Sequence, residues 1–371
     1  MNFKAHTLEE LEAKRSRLSS RLGLAGFDGF VDRIVTPVAT RSGPGGNFKP
    51  IPTISDFARR VERAAGQSTN IELFAREQRL GGNGPIMAHA LLTGGMKVRY
   101  IGAIGVPEVH PVFKDLALKT EAFSLANPGA TDALEFNDGK LMLNSTSTLE
   151  DVTYDAIIRV IGEGKFFDLF SRLHVISLVN WTMIPSMTDI WNALLDKVLP
   201  NLPSRDQRTF LFDLADPEKR SDSDLKSALL TIKRFQSHGK TILGLNLKEA
   251  KSVARVLGIR EEEPNEDGLK RLATKIRQEL SLGVVAIHPR DCAACATRED
   301  AWYVPGPYTE TPATTTGAGD HFNAGFTIGQ TVNMSPLASL TMGVCFSGYM
   351  VRNSRSPSLN DIDSFLRNWQ D

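Results

Sequence analysis

A chain of 371 residues can bury one large core or two modest ones, and one α/β unit with a small accessory element fits that length. Apolar residues supply 41% and charged residues 23%, which excludes a globally disordered chain. Lys+Arg and Asp+Glu balance at 43 each, so the basic surplus that a nucleic-acid or polyanion partner requires is missing.

Residues 1–22 are amphipathic, carry Glu9, Glu10 and Glu12, and hold no apolar stretch of signal-peptide type. Nowhere do 18 apolar residues run together, so no membrane partner is expected. Thr7-Leu8-Glu9-Glu10 reads as a capping box opening a helix. Six short apolar runs then read as buried strands: 22–27, 98–104, 173–179, 209–214, 241–245 and 284–287. Helical patterns separate them at 85–92, 112–119, 187–199, 223–235, 248–257 and 266–280. This alternation predicts a mostly parallel sheet with crossover helices, whose ligands bind beyond the carboxyl ends of the strands.

Two segments break the rhythm. Residues 33–80 contain Ser42-Gly43-Pro44-Gly45-Gly46, a helical stretch over 55–65 and a strand-like run over 71–76. Residues 127–150 contain two strand-like runs around Asn137-Asp138-Gly139, a hairpin signal. A hairpin has no place inside a parallel sheet, so both segments are assigned to a separate antiparallel flap. Two unrelated surface excursions are the alternative. Three cysteines are too few for a disulfide scaffold and point to a reducing, cytoplasmic compartment. Cys292 and Cys295 form a C-x-x-C pair, but no second pair or matching histidines complete a zinc set.

The stretch Thr314-Thr315-Thr316-Gly317-Ala318-Gly319-Asp320-His321-Phe322 passes through a glycine turn into a helix. Glycines there let backbone N–H groups approach an anion, and the helix N-terminus adds partial positive charge. A carboxylate at the same spot would repel phosphate unless it had a task. Asp320 beside an anion hole is what phosphoryl transfer to an alcohol requires: a base for the hydroxyl proton and donors for the transferring oxygens. An ordinary helix N-terminus with an acidic first turn is the competing reading. A dinucleotide fingerprint fails because Phe322 occupies the third glycine position. The absence of G-x-x-x-x-G-K-[S/T] excludes a P-loop enzyme.

Thr315-Thr316-Gly317-Ala318-Gly319-Asp320-x-Phe322-x-x-Gly325-Phe326 resembles the C-terminal signature of the ribokinase-like (PfkB) carbohydrate kinases. Further features follow in that family's order: Phe30-Val31-Asp32, Gly81-Gly82-Asn83, and Asn246-Leu247-Lys248-Glu249. The resemblance covers roughly residues 22–355 and implies a three-layer α/β/α fold with a β lid. The implied core is 1–32, 81–126 and 151–371, and the implied lid 33–80 and 127–150. The implied activity is ATP-dependent phosphorylation of a hydroxyl on a sugar or sugar-like molecule. A nucleoside or sugar-phosphate kinase of the same fold, or a non-catalytic sensor, are the alternatives.

The resemblance also assigns roles. Asp320 would be the base, with the amides of Gly317, Ala318 and Gly319 as the anion hole. Asn246 and Glu249 would hold Mg²⁺ through water near the nucleotide, although the same pair reads as a capped helix start. Thr316 would join them in nucleotide binding; His288-Pro289-Arg290 departs from the Thr-x-Gly usual in the family, and Arg290 is read there as a partner for nucleotide phosphate. Asp32, Gly82, Asn83 and Asn180 would face the acceptor, with Asp28 a competitor for Asp32 because the interval is one residue longer than usual. Departures from the family cluster on this acceptor side. Ile86 replaces an asparagine, and Val106-Pro107-Glu108-Val109-His110 replaces a segment that usually carries an aspartate, so Glu108 or His110 would have to substitute. Trp181 is read either as a stacking face for a sugar or as core. Thr314 replaces an aspartate linked to monovalent-cation activation, whose other half would be a loop over 348–354. A homodimer through the lid is a further expectation.

Overall fold

The computed structural model describes residues 2–203 and 208–369. Its fourteen described strands are β1 (Leu22–Phe27), β2 (Phe30–Arg41), β3 (Phe48–Pro50), β4 (Leu73–Gly81), β5 (Lys97–Gly102), β6 (Phe123–Ser124), β7 (Gly129–Phe136), β8 (Gly139–Ser145), β9 (Val175–Leu178), β10 (Thr209–Asp213), β11 (Lys240–Leu245), β12 (Val284–Ile287), β13 (Cys292–Ala296) and β14 (Ala301–Pro305).

Nine of them form one sheet in the order β14-β13-β12-β11-β10-β9-β1-β5-β6. From β12 to β6 every pairing is parallel; β13 and β14 add an antiparallel edge. The central parallel strands are mostly apolar because both of their faces are buried. Along β10, Phe210 and Phe212 face one core and Leu211 the other; along β12, Val285 and Ile287 oppose Val284 and Ala286. Helices 83–93, 318–331 and 336–353 cover one face, and 222–235, 247–256 and 266–280 the other, giving three layers. Among the described residues no helix is long and apolar enough to cross a membrane.

The remaining strands form a second sheet, ordered β3-β2-β7-β8, with β4 also paired to β2. It is not wholly antiparallel: Phe30 to Val35 of β2 run parallel to Gly129 to Leu134 of β7. The two excursions therefore meet through a pairing that no local hairpin signal announces. The hairpin itself joins β7 to β8 through Asn137-Asp138, with Phe136 opposite Gly139.

Other expectations need correction. The first helix spans Phe3–Lys14 and is capped by Asn2, whose side-chain Oδ1 accepts from Lys4 and Ala5 N–H. Thr7 lies inside it and donates to the Phe3 carbonyl, so the capping-box reading placed the start five residues late. Residues 348–353 are the last turns of helix Pro336–Asn353, not a loop. Cys292 and Cys295 lie three apart on β13 and point into opposite cores, which separates them as joint ligands.

Candidate active site

Three helices begin at the carboxyl edge of the main sheet, and their N-termini surround one space. The first, Asn83–Thr93, has no capping side chain of its own. Asp28, one residue past β1, supplies the cap: its carboxylate accepts from Asn83 N–H at 2.9 Å and Gly84 N–H at 2.7 Å, and from Asn180 Nδ2 at 2.6 Å. Burial pushes Asp28 up to about 6 despite these donors.

The two glycines before this helix are dictated by carboxylates beneath them. A Cβ at Gly81 would lie 2.4 Å from the Asp32 carboxyl, and one at Gly82, whose φ is +95°, would lie 2.8 Å from Asp28 Oδ2. Asp32 nevertheless reaches a cavity, whereas Asp28 sits behind its wall.

The second helix, Leu247–Val256, starts with a reciprocal cap. Asn246 Oδ1 accepts from Glu249 N–H at 2.9 Å, and Glu249 Oε2 accepts from Asn246 N–H at 2.8 Å. The other Glu249 oxygen accepts from Asp216 N–H at 3.1 Å. Glu249 is 4% exposed, and burial raises its pKa.

The third, Ala318–Thr331, follows Gly317 at φ +84°. Its first-turn N–H groups have no acceptor within the helix, although Ala318 N–H closes a long 3.3 Å bond on Thr315 O. Asp320 Oδ1 accepts from Asn83 Nδ2 at 2.9 Å. One turn on, Asn323 Nδ2 donates to Asp213 Oδ2 at 2.6 Å, and Asp213 Oδ1 accepts from Ala215 N–H. Burial, followed by the nearby Asp213 carboxylate, raises Asp320 well above the usual carboxylate range.

Two cavities meet at this third N-terminus. One, of about 550 Å³, runs from Asn246 and Lys248 past Arg290, Gly306–Thr309 and Ser347-Gly348 to Ala318-Gly319. The other, of about 470 Å³, is walled by Asp32, Gly82, Asn83, Asn180, Asp213, Asp216, Glu249 and Gly317–Asp320, with Thr131, Met142 and Asn144 from the second sheet. Asn246, His288, Thr315, Ala318 and Gly319 line both. Asp320 opens only onto the second.

A family model of prokaryotic ketohexokinases matches residues 6–369. The chain belongs to the prokaryotic ketohexokinase family. It is a carbohydrate kinase with a ribokinase-like fold. A ketohexokinase of Haloferax volcanii is 27% identical, covering 98% of this chain and 97% of that one. Among solved structures, the ribokinase of Thermotoga maritima aligns with a TM-score of 0.62 at 16% identity, covering 94% and 99% of the two chains. The ribokinase of Arabidopsis thaliana, solved with ribose and ATP, gives 0.62 at 13% identity, covering 94% and 98%.

Within this kinase the candidate residues are distributed over the two cavities. Arg290 lines the first, Thr316 and Glu249 the second, and Asn246 both. Arg290 lies 5.2 Å from the Tyr308 ring centroid. Trp181 is fully buried, donates to Thr188 Oγ1 and is covered by Arg220, so it is core and not a stacking face. Glu108 and His110 line neither cavity.

Sequence reasoning missed Asp213, the last residue of β10, and Asp216 just beyond it, at the ligand-bearing edge of the sheet. Their position at the end of a correctly read strand was the available signal. It also missed His288 as a wall shared by both cavities. That ring stacks on Phe322 at 4.4 Å, and burial depresses its pKa to about 4.

Proposed function

We propose that this kinase transfers the γ-phosphoryl group of ATP to a hydroxymethyl group of a free ketohexose, with Asp320 as the general base. The observation that carries the proposal is the meeting of two cavities at one glycine turn, with Asp320 on one side only. A nucleotide in the larger cavity brings its terminal phosphate to the Ala318 and Gly319 end. A sugar in the other places a hydroxyl beside Asp320. The helix N-terminus and the glycine amides stabilise charge on the transferring group. Asp320, ionised when it acts, takes the hydroxyl proton, and Asn83 Nδ2 fixes its orientation.

Asp32, Asn83 and Asn180 are the proposed sugar contacts. A carboxylate or amide that loses its hydroxyl partner is stranded in a buried wall, which is how such a site rejects poor acceptors. The cavity's carboxylates oppose a phosphorylated acceptor. A neighbouring cavity holds Arg79, Lys140 and Arg355, but these already pair with Glu77, Glu135 and Asp361. The second sheet, contributing Thr131, Met142 and Asn144, is the proposed lid that excludes water.

The donor set suits Mg²⁺ held through water. Among the described residues no three acidic, histidine or cysteine side chains are grouped to hold a metal ion directly, and the protein atoms offered near Asn246 and Glu249 are hard oxygens. Each Glu249 oxygen accepts one N–H and keeps a lone pair for a coordinated water. Bound there, Mg²⁺ would neutralise charge on the nucleotide phosphates. The test is ATP consumption measured over free ketohexoses, aldoses, hexose phosphates and nucleosides. A ketohexose should give the highest kcat/KM; a hexose phosphate or nucleoside in that place would replace the assignment.

A further inference from the structure

His321, immediately after Asp320, is 2% exposed. Its Nδ1 lies 2.7 Å from the Gly317 carbonyl oxygen, and its Nε2 lies 2.7 Å from Ser356 Oγ. Ser356 Oγ is in turn 2.9 Å from His89 Nδ1 on helix Asn83–Thr93. Gly317 O also accepts the first helical bond, from His321 N–H at 3.0 Å.

The direction of every bond in this chain follows from one fact: a carbonyl oxygen only accepts. His321 Nδ1 must therefore carry a proton, and in the neutral ring Nε2 then holds a lone pair. Ser356 then donates to His321, and its oxygen accepts from His89 Nδ1–H. The neutral ring is the form that burial favours, since burial depresses His321 to about 4.

We propose that His321 is a positioning residue, locked by Ser356 and His89 in its Nδ1–H tautomer, that holds the glycine turn in its phosphoryl-binding orientation. The lever is the planarity of the 317–318 peptide. In a trans peptide C=O and N–H point in opposite directions, so clamping Gly317 O sets the direction of Ala318 N–H, which makes its long 3.3 Å bond to Thr315 O at the wall both cavities share. Gly317 at φ +84° lies in a region where glycine has ample freedom, so the turn needs an external clamp. The same relay joins three parts of the chain: the helix that bears Asn83, the turn, and the segment after helix Pro336–Asn353.

The kinetic part rests on the activity proposed above, but the tautomer does not. With ¹⁵N-histidine labelling of the whole protein, His321 should show a protonated Nδ1 and a pyridine-type Nε2 at neutral pH. An Nε2–H tautomer or an imidazolium would overturn the relay, whether or not any sugar is phosphorylated. His321→Ala should lower kcat roughly ten- to a hundredfold, less than the loss of a direct anion-hole donor, with the KM for sugar changed less than about threefold. His321→Asn, whose amide can donate from the Nδ1 position, should recover most of that kcat. Ser356→Ala leaves the turn in place and should lower kcat several-fold while shifting His321 out of the Nδ1–H form. Unchanged kcat in His321→Ala, or a loss confined to KM, would contradict the role; absence of turnover in the wild type would instead refute the activity.

Discussion

The two cavities that share the glycine turn are built from different chemistry. The proposed nucleotide side is walled by Pro289, Pro307, Pro312, Phe322 and Val344, with Arg290 and with Lys248, itself paired to Glu218. The acceptor side concentrates Asp32, Asp213, Asp216, Glu249 and Asp320, with Lys219 as its cation and already paired to Asp216. An apolar slot with cations at its edge suits a planar base on a polyphosphate chain. An acid-walled bowl suits a neutral molecule with many hydroxyls, because carboxylates accept from hydroxyls and repel phosphates. The contrast separates what binds on each side, and it predicts that substitutions on one side leave the other side's affinity nearly intact.

The largest effect should come from Asp320→Asn. Loss of the base lowers kcat by roughly 10²–10⁴, while calorimetric titration should show ATP affinity within about twofold of wild type. Comparable weakening of ATP binding would merge the two sides.

Asp32 and Asp28 sharpen the contrast further. Asp32→Ala should lower kcat/KM for the sugar roughly a hundredfold, because donors on the bound sugar lose a charged acceptor worth about 1.5–3 kcal/mol. Its thermal unfolding should change little. Asp28→Ala removes the acceptor for two helix N–H groups and for Asn180, so it should cost about 2–3 kcal/mol of stability. Denaturant unfolding checks this, and a fully stable Asp28→Ala protein with impaired sugar kinetics would exchange the two roles.

A smaller effect concerns pH. Asp320 must be ionised to accept a proton, and its folded pKa is raised by burial and by Asp213. The acid limb of kcat/KM therefore falls as pH drops through a value above the ordinary carboxylate range. Asp213→Asn removes a neighbouring negative charge, so the limb should move to lower pH. A limb that stays put, or moves up, would mean that another group controls it.

How much of the molecule was legible in the sequence depended on whether the signal was local. Residues 22–27 and 284–287 are β-strands as read, because a strand buried on both faces is a short apolar run and nothing else. β13 escaped notice: Cys-Ala-Ala-Cys-Ala has none of the β-branched residues that mark a strand, and its pairings to β12 and β14 make it one. The glycine turn and Asp320 stood out because backbone needs fix residue types there. The choice between Asp28 and Asp32 was not local. It depends on which carboxylate lies under Gly82 and which reaches past Gly81, a matter of how β1, β2 and the helix at Asn83 stack. The choice for Trp181 between stacking face and core was not local either, since Arg220, 39 positions on, covers its ring.

The smallest effect should come from the second sheet. Gly139 follows the Asn137-Asp138 turn at φ +157°, and a Cβ there would lie 2.9 Å from Ile54 Cδ1. Gly139→Val should shift the hairpin against helix Ile54–Glu62, raise the sugar KM a few-fold and increase ATP hydrolysis without sugar. Unchanged values of both in a folded variant would count against closure by this sheet.

The central claim is that donor and acceptor meet directly at the Gly317–Asp320 turn, with no residue relaying the phosphoryl group. The stereochemistry at a chiral γ-phosphorus tests it most directly. In-line transfer between the two cavities predicts inversion of configuration in the sugar phosphate formed. Retention would require two displacements through a phosphorylated side chain, and would contradict direct attack by a hydroxyl that Asp320 deprotonates.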